Sequence, residues 1–470
     1  MNNRSKAFKV GVVYVISSVM IKGVAFLSTP LFTRIMSTAA YGEVAIFTAW
    51  YSLLTPVCTL ELAYSVGRAK FDFSNELDLY IGAMFCLTGL FSSIFSGVMI
   101  LFLHRISEMM GLRRNLYILL IIYLFFTPAI RYMQNGYRYK YQYKQNIFIA
   151  WFISIGQVAF SVLFLHFCTY DQPLGRALGI MTPTVVLSVF FWGLKGIKGQ
   201  ILINKEYWSY GLRISCPLIL HSMSLHVLAQ SDRVFIKKIC GAESTGIYSL
   251  IYTYSTVVSI ITGSVAEGWL PWFHEMLFAG KHQLIRQKVK KVVVLSGYLA
   301  IAGIIFAPEA IWLLGDKKYL DGIEAVLPIV LGVLGQFIYT QYVNIEMYLK
   351  RTIFVSAGTI IAASINILLN FIFIPQYGFV AAAYTTLASY MILMLLHFYI
   401  TRVVLKVHLY KDRYMFGGFL IISMVMLLIS KLYDYIFIRY TLASIGAFSA
   451  CIVYKDEVLN FIGKRKEGKA

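Results

Sequence analysis

Charge is scarce in this chain. Of 470 residues, 14% are Asp, Glu, Lys or Arg, with 22 acids against 42 bases. A soluble chain of this length makes about three domains and carries roughly 25% charged residues, so that class is excluded. Cysteine is sparse as well. Its six copies, Cys58, Cys86, Cys168, Cys216, Cys240 and Cys451, are scattered with no C-x-x-C pair, which speaks against a disulfide framework and a metal site alike. Also missing are a Gly-rich phosphate loop, a His and carboxylate cluster at metal-binding spacing, and a polar stretch long enough to be a catalytic domain. No cofactor is called for, and an enzyme finds no support.

Apolar residues take the vacated place. They make up 59% of the chain, and mean hydropathy is +0.70. They come in successive continuous runs of about 20 residues, the length needed to cross roughly 30 Å of hydrocarbon as a helix. Strands of a membrane barrel would alternate instead. The fold class read here is therefore an all-α polytopic membrane protein with about fourteen spans. The first, 10–32, follows a basic stretch and is too long for a secretory signal. The sixth, 174–193, is interrupted by Pro183; the seventh and eighth fall near 210–231 and 246–270; the last two, 415–431 and 435–454, are short.

The excess of basic residues raises the question of a nucleic-acid partner, and Arg138-Tyr139-Lys140-Tyr141-Gln142-Tyr143-Lys144 has the composition of an RNA-binding tract. Membrane topology accounts for it without a polyanion. Lys and Arg gather in cytoplasmic loops and Tyr at the headgroups, so no nucleic acid is expected. Alternate connections, starting with the N-terminal one, hold most of the Lys and Arg. That bias places both termini in the cytoplasm. One basic stretch, Leu284 to Val292, has apolar residues at helical spacing and reads either as a helix lying on the cytoplasmic surface or as the entry turn of the next span.

The chain begins again near its middle. Setting Arg34-Ile35 against Lys238-Ile239 brings Gly42 onto Gly246 without a gap, with six spans before the break and six after it. An even number per half gives both halves the same orientation, hence a pseudo-twofold along the membrane normal. The expected organisation is an N-terminal six-helix bundle over 1–200, a second over 201–405, and two extra helices with a basic cytoplasmic tail over 406–470.

Charges inside spans are the candidate functional positions, because a charge at the bilayer centre costs about 2.5–3.5 kcal/mol on insertion scales. Lys22 lies near the middle of the first span. Arg213 sits about one turn into the seventh, and Asp232 and Arg233 at its outer end, where neighbours in sequence cannot share a helical face and need separate partners. Glu61, Glu267 and Glu346 lie near the cytoplasmic ends of spans two, eight and ten. They fit an ion-coupling role or structural pairing with Arg68, Arg213 or Lys350. His221 and His226 read as polar lining.

Three stretches resemble a known family: Pro30-Leu31-Phe32-Thr33-Arg34-Ile35 with Tyr41-Gly42; Gln230-Ser231-Asp232-Arg233-Val234-Phe235-Ile236 with Gly246-Ile247-Tyr248-Ser249; and Asn370-Phe371-Ile372-Phe373-Ile374-Pro375-Gln376-Tyr377-Gly378-Phe379-Val380-Ala381-Ala382-Ala383. Together they are similar to Wzx-type polysaccharide flippases, which handle O-antigen or capsule repeat units, within the multidrug/oligosaccharidyl-lipid/polysaccharide exporter superfamily. The resemblance implies translocation of a polyprenyl-diphosphate-linked oligosaccharide from the cytoplasmic to the outer leaflet of a bacterial inner membrane. It also implies membrane lipids as surroundings and a polysaccharide polymerase with chain-length machinery as partners. Lys22, Arg213 and Arg233 are then the candidates for holding the diphosphate, and Glu61, Asp232, Glu267 and Glu346 for ion coupling. Two alternatives stand beside it. A cation-coupled multidrug exporter of the same fold would want a carboxylate deep in the N-terminal half. A membrane-embedded sugar polymerase or glycosyltransferase would want a large outer loop.

Overall fold

The structure is a computed structural model that describes residues 26–455 together with Ser17, Met20, Gly23 and Val24. Among the described residues there is helix and no strand. This is an all-helical polytopic membrane fold. Among the described residues ten helices are long and apolar enough to cross a bilayer, or up to twelve if each of two bent helix pairs counts as one span.

The helices, in chain order, begin with α1 (26–35) and α2 (Thr38–Cys58), then α3 (Ser65–Asp72), α4 (Leu77–Leu101), α5 (Leu103–Met109) and α6 (Arg114–Tyr139). They continue through α7 (Tyr143–Phe167), α8 (Gln172–Ile197), α9 (Lys205–Phe278), α10 (His282–Ile305), α11 (Ala307–Gly315) and α12 (Val326–Tyr348). The last four are α13 (Thr352–Tyr377), α14 (Val380–Tyr399), α15 (Asp412–Ser430) and α16 (Ile436–Val453). Some of the starts are capped by side-chain oxygens. Ser37 accepts from the Ala40 amide before α2, Asp171 from Leu174 before α8, and Asn204 from Tyr207 before α9, each satisfying one of the orphan donors of a first turn.

Several expectations are corrected here. Helix α8 runs unbroken through Pro183, since neighbouring helices in a bundle can accommodate a ring inside a span. Helix α9 continues through Pro271 to Phe278, past the end near 270 expected of the eighth span. The stretch 284–292 is not a separate surface helix. It forms the first turns of α10, with Ile285 and Val289 buried against Phe273 and Met415. The seventh and eighth spans fall on one helical run broken at Gly241, whose φ of 90° and ψ of 179° no side chain would tolerate easily. Each arm of that run exceeds the roughly 20 residues a crossing needs.

By packing, the chain separates into two compact units, Met1–Ser249 with Ile367–Phe379, and Leu250–Asn366 with Val380–Ala470. In the first, α6 packs on α4 and α8, and α8 on α7. Small residues bring the backbones close, as membrane helices require in the absence of a hydrophobic drive between them. A Cβ on Gly179 would sit 2.3 Å from the Ser161 Cα. In the second unit, α12 packs on α14, and α10 on α12, α15 and α16.

Candidate functional site: buried carboxylates and the motif junction

Helix α2 ends where the chain turns by 61° into the segment Leu62–Asp72. Pro56 lies in its last turn, and the bend itself is made by Leu60 and Glu61, both at φ 48°. Neither is glycine, and a left-handed residue with a side chain costs about 1–3 kcal/mol, a strain found where a site over-determines its backbone. The break aims the Glu61 carboxylate, 1% exposed, into the unit. Arg131 Nη1 of α6 donates to Glu61 Oε2 (3.1 Å) and reaches Thr59 Oγ1 (3.3 Å), and Ser222 Oγ of α9 donates to Glu61 Oε1 (2.7 Å). Farther along α9 and α2, His226 Nδ1 and Ser52 Oγ share a hydrogen bond of 2.8 Å. Glu61 and Arg131 also border a pocket of about 220 Å³ with Asn135 and Arg138. A desolvated acid thus sits beside a permanent cation at the rim of a polar pocket.

The second assembly joins the stretches that carry the family resemblance. Asp232 is fully buried and accepts from Tyr248 OH (2.5 Å) and Asn370 Nδ2 (2.8 Å). Arg233 turns elsewhere, donating to Ser249 Oγ (3.2 Å), the Ala229 carbonyl (2.9 Å) and Gln230 Oε1 (2.6 Å). The adjacent pair has separate partners, as helical geometry demands. Beside it the repeat positions meet. A Cβ on Gly42 would lie 1.9 Å from the Ala242 carbonyl oxygen, and one on Gly246 2.2 Å from the Thr38 carbonyl oxygen. Thr38 stands to Ala242 in the repeat as Gly42 stands to Gly246, so the contact is reciprocal. Glu43 and Lys237 form an ion pair next to it.

The second unit has a different polar core. Glu346 of α12 and His397 of α14 are both fully buried, with Nδ1 2.9 Å from Glu346 Oε1 and Thr401 Oγ1 at 3.5 Å. The turn that follows, Ile400–Val404, is a π-helix, a form frequent at functional sites. His397 Nε2 and Glu346 Oε2 are buried without a hydrogen-bond partner among the described residues. At the other bent pair, where α10 turns by 57° into α11, Arg439 of α16 donates to Glu309 Oε1 (2.6 Å) and Oε2 (2.9 Å) and to the Ile305 carbonyl (2.5 Å).

Of the remaining sequence candidates, Arg213 is exposed and lines a cavity of about 640 Å³ with Arg68, Glu206, Ser209 and Tyr210. Glu267 is exposed. Lys22 lies outside the described residues. The pairings expected for Glu61 and Glu346 with Arg68, Arg213 or Lys350 are replaced by Arg131 and His397. Those partners come from other helices, at separations of 70 and 51 residues, and helical spacing cannot reveal them. Sequence alone does not single out Arg131 or Arg439; the signal available was only their position near the end of an apolar run.

A sequence model described as "Polysaccharide biosynthesis protein" matches residues 8–277, more than half of the chain. The chain belongs to that family. Among relatives of this family member is a Haemophilus influenzae protein named for the Lsg locus, 25% identical over 66% of this chain and 78% of its own length. The lipid II flippase MurJ, in an inward closed conformation, shares the fold at a TM-score of 0.70 and 14% identity, covering 95% of this chain and 100% of that one. An inward-facing multidrug resistance MATE transporter of the MOP superfamily matches at 0.59 and 13% identity, over 87% and 96%. The two fold neighbours are a flippase and a transporter by name.

Proposed function

We propose that this protein flips a polyprenyl-diphosphate-linked oligosaccharide unit from the cytoplasmic to the outer leaflet of a bacterial inner membrane by alternating access. The observation that carries the reading is the family match over residues 8–277, and the full-length likeness to a lipid II flippase supports it. The chemistry is consistent. A diphosphate and its sugars cannot enter hydrocarbon, so a cationic, hydroxyl-bearing path must hold them while the prenyl tail stays in lipid. Lys22, Arg213 and Arg233 are proposed to meet the diphosphate, and Glu61, Asp232, Glu267 and Glu346 to be available for ion coupling. The proposal includes fourteen spans with both termini in the cytoplasm, two six-helix bundles related by a pseudo-twofold along the membrane normal, and two further helices. The reciprocal Gly42 and Gly246 contact supports that symmetry.

Disruption of the gene tests the function. The expected result is loss of surface polysaccharide with lipid-linked units accumulating on the cytoplasmic face. In complementation, Lys22→Arg retains partial transport and Lys22→Ala abolishes it at normal protein level, since removing a charge from an apolar span, which costs about 2.5–3.5 kcal/mol at the bilayer centre, eases insertion. Normal polysaccharide with raised sensitivity to cationic compounds would overturn the reading in favour of a multidrug exporter of the same fold.

A further inference from the structure

A groove of about 450 Å³ lies between α10 and α15 in the second unit, and neither the transport reading nor the buried carboxylates make use of it. Its floor is glycine. A Cβ on Gly417 would face open space and one on Gly418 would come no nearer than 3.6 Å to Val293, whereas at Gly297 the Ile422 side chain closes in to 2.5 Å; Ile301, Ile421 and Val425 line the deeper part. Its lining runs from Lys290 to Ile301 on one helix and from Arg413 to Val425 on the other. That is about 16 Å of helix at 1.5 Å per residue, close to half of the roughly 30 Å hydrocarbon thickness. The groove is therefore about one leaflet deep.

One end is cationic. Lys290 Nζ lies 5.3 Å and Lys411 Nζ 5.8 Å from the centre of the Tyr414 ring, and Arg413 Nη2 donates to the Tyr414 hydroxyl (3.2 Å). Lys290, Lys411 and Arg413 are exposed, and none of them forms an ion pair among the described residues. The acid between them in sequence, Asp412, is taken by Arg402. Three cations around one phenol, at the mouth of an apolar slot one leaflet deep, have the complementarity of a phosphate headgroup with an acyl chain beneath it.

We propose that the α10 and α15 groove is a binding site for an anionic glycerophospholipid. Its phosphate is held by Lys290, Lys411 and Arg413, and one acyl chain lies along Gly417 and Gly418. The depth argues for an acyl chain over a polyprenyl tail, which is several times longer. This site does not depend on what the protein transports. The lipid would fasten α15 to α10 from one leaflet only.

Native mass spectrometry of the full-length protein in detergent, titrated with phosphatidylglycerol or with phosphatidylcholine of the same chains, tests it. Phosphatidylglycerol should be retained preferentially, and Lys290→Gln and Arg413→Gln should each lower retention about fivefold, the equivalent of about 1 kcal/mol per cation near a headgroup. Gly417→Leu keeps the cations and fills the slot. A Cβ there meets nothing within 4 Å, so the variant should fold normally and lose phosphatidylglycerol. Equal retention of the two lipids, or wild-type retention by the charge variants and by Gly417→Leu, overturns the proposal. So does stoichiometric displacement of phosphatidylglycerol by polyprenyl phosphate, which would reassign the groove to a carrier lipid.

Discussion

Glu61 in the first unit and Glu346 in the second are both carboxylates out of reach of water, and they are kept there by opposite means. Glu61 sits at a break in its helix, on strained backbone, and meets an arginine that carries its charge under all conditions. Glu346 sits inside a continuous helix and meets a histidine from a neighbouring helix. Glu309 belongs with Glu61, since it too lies beside a helix break and faces an arginine from another helix. These two helix bends are pinned by fixed charge. The unbroken core of the second unit instead holds a carboxylate and an imidazole with one oxygen and one nitrogen that find no hydrogen-bond partner among the described residues.

The contrast predicts a graded response to loss of each partner. Arg131→Gln should be the most damaging, because it strands Glu61 at 1% exposure. The cost should fall toward the lower end of the roughly 3–5 kcal/mol seen when a buried pair loses one member, since the Arg131 side chain is itself 33% exposed. Thermal unfolding of the purified protein measures it, and Glu61→Gln combined with Arg131→Gln should restore part of the loss. If the arginine variant is no less stable than Glu61→Gln alone, the pinning argument fails.

Arg439→Gln should come next, at about 1–2 kcal/mol, because the Glu309 it abandons is 34% exposed and can hydrate. A loss equal to that of Arg131→Gln would show that burial of the stranded acid is not what sets the scale. Smallest in stability should be Glu346→Gln, under about 1 kcal/mol, since an amide still bonds His397. A loss in thermal unfolding as large as that of Arg131→Gln would make the two carboxylates equivalent and end the comparison.

Much of this was legible in the chain itself. Apolar runs of fixed length dictate membrane helices because a backbone in hydrocarbon must bond to itself. Composition alone excluded a soluble fold, and helical geometry alone required Asp232 and Arg233 to point apart. The stretches around Asp232, Tyr248 and Asn370 were identifiable as motifs, though nothing local said that they converge on one carboxylate. Pro183 misled, because whether a proline breaks a helix is decided by what packs against it, and packing likewise chose the entry-turn reading of the 284–292 stretch.

Sequence by itself determined that the chain is a series of apolar membrane-crossing helices, and to which family it belongs. Tertiary structure decided who meets whom. Arg131 for Glu61, His397 for Glu346, Arg439 for Glu309 and Ala242 for Gly42 are all choices between helices far apart in the chain. Helical periodicity fixes which face a residue occupies. It carries no information about which other helix covers that face, and in a membrane, where hydrophobicity does not distinguish a neighbouring helix from lipid, close packing and the pairing of buried charges make that choice.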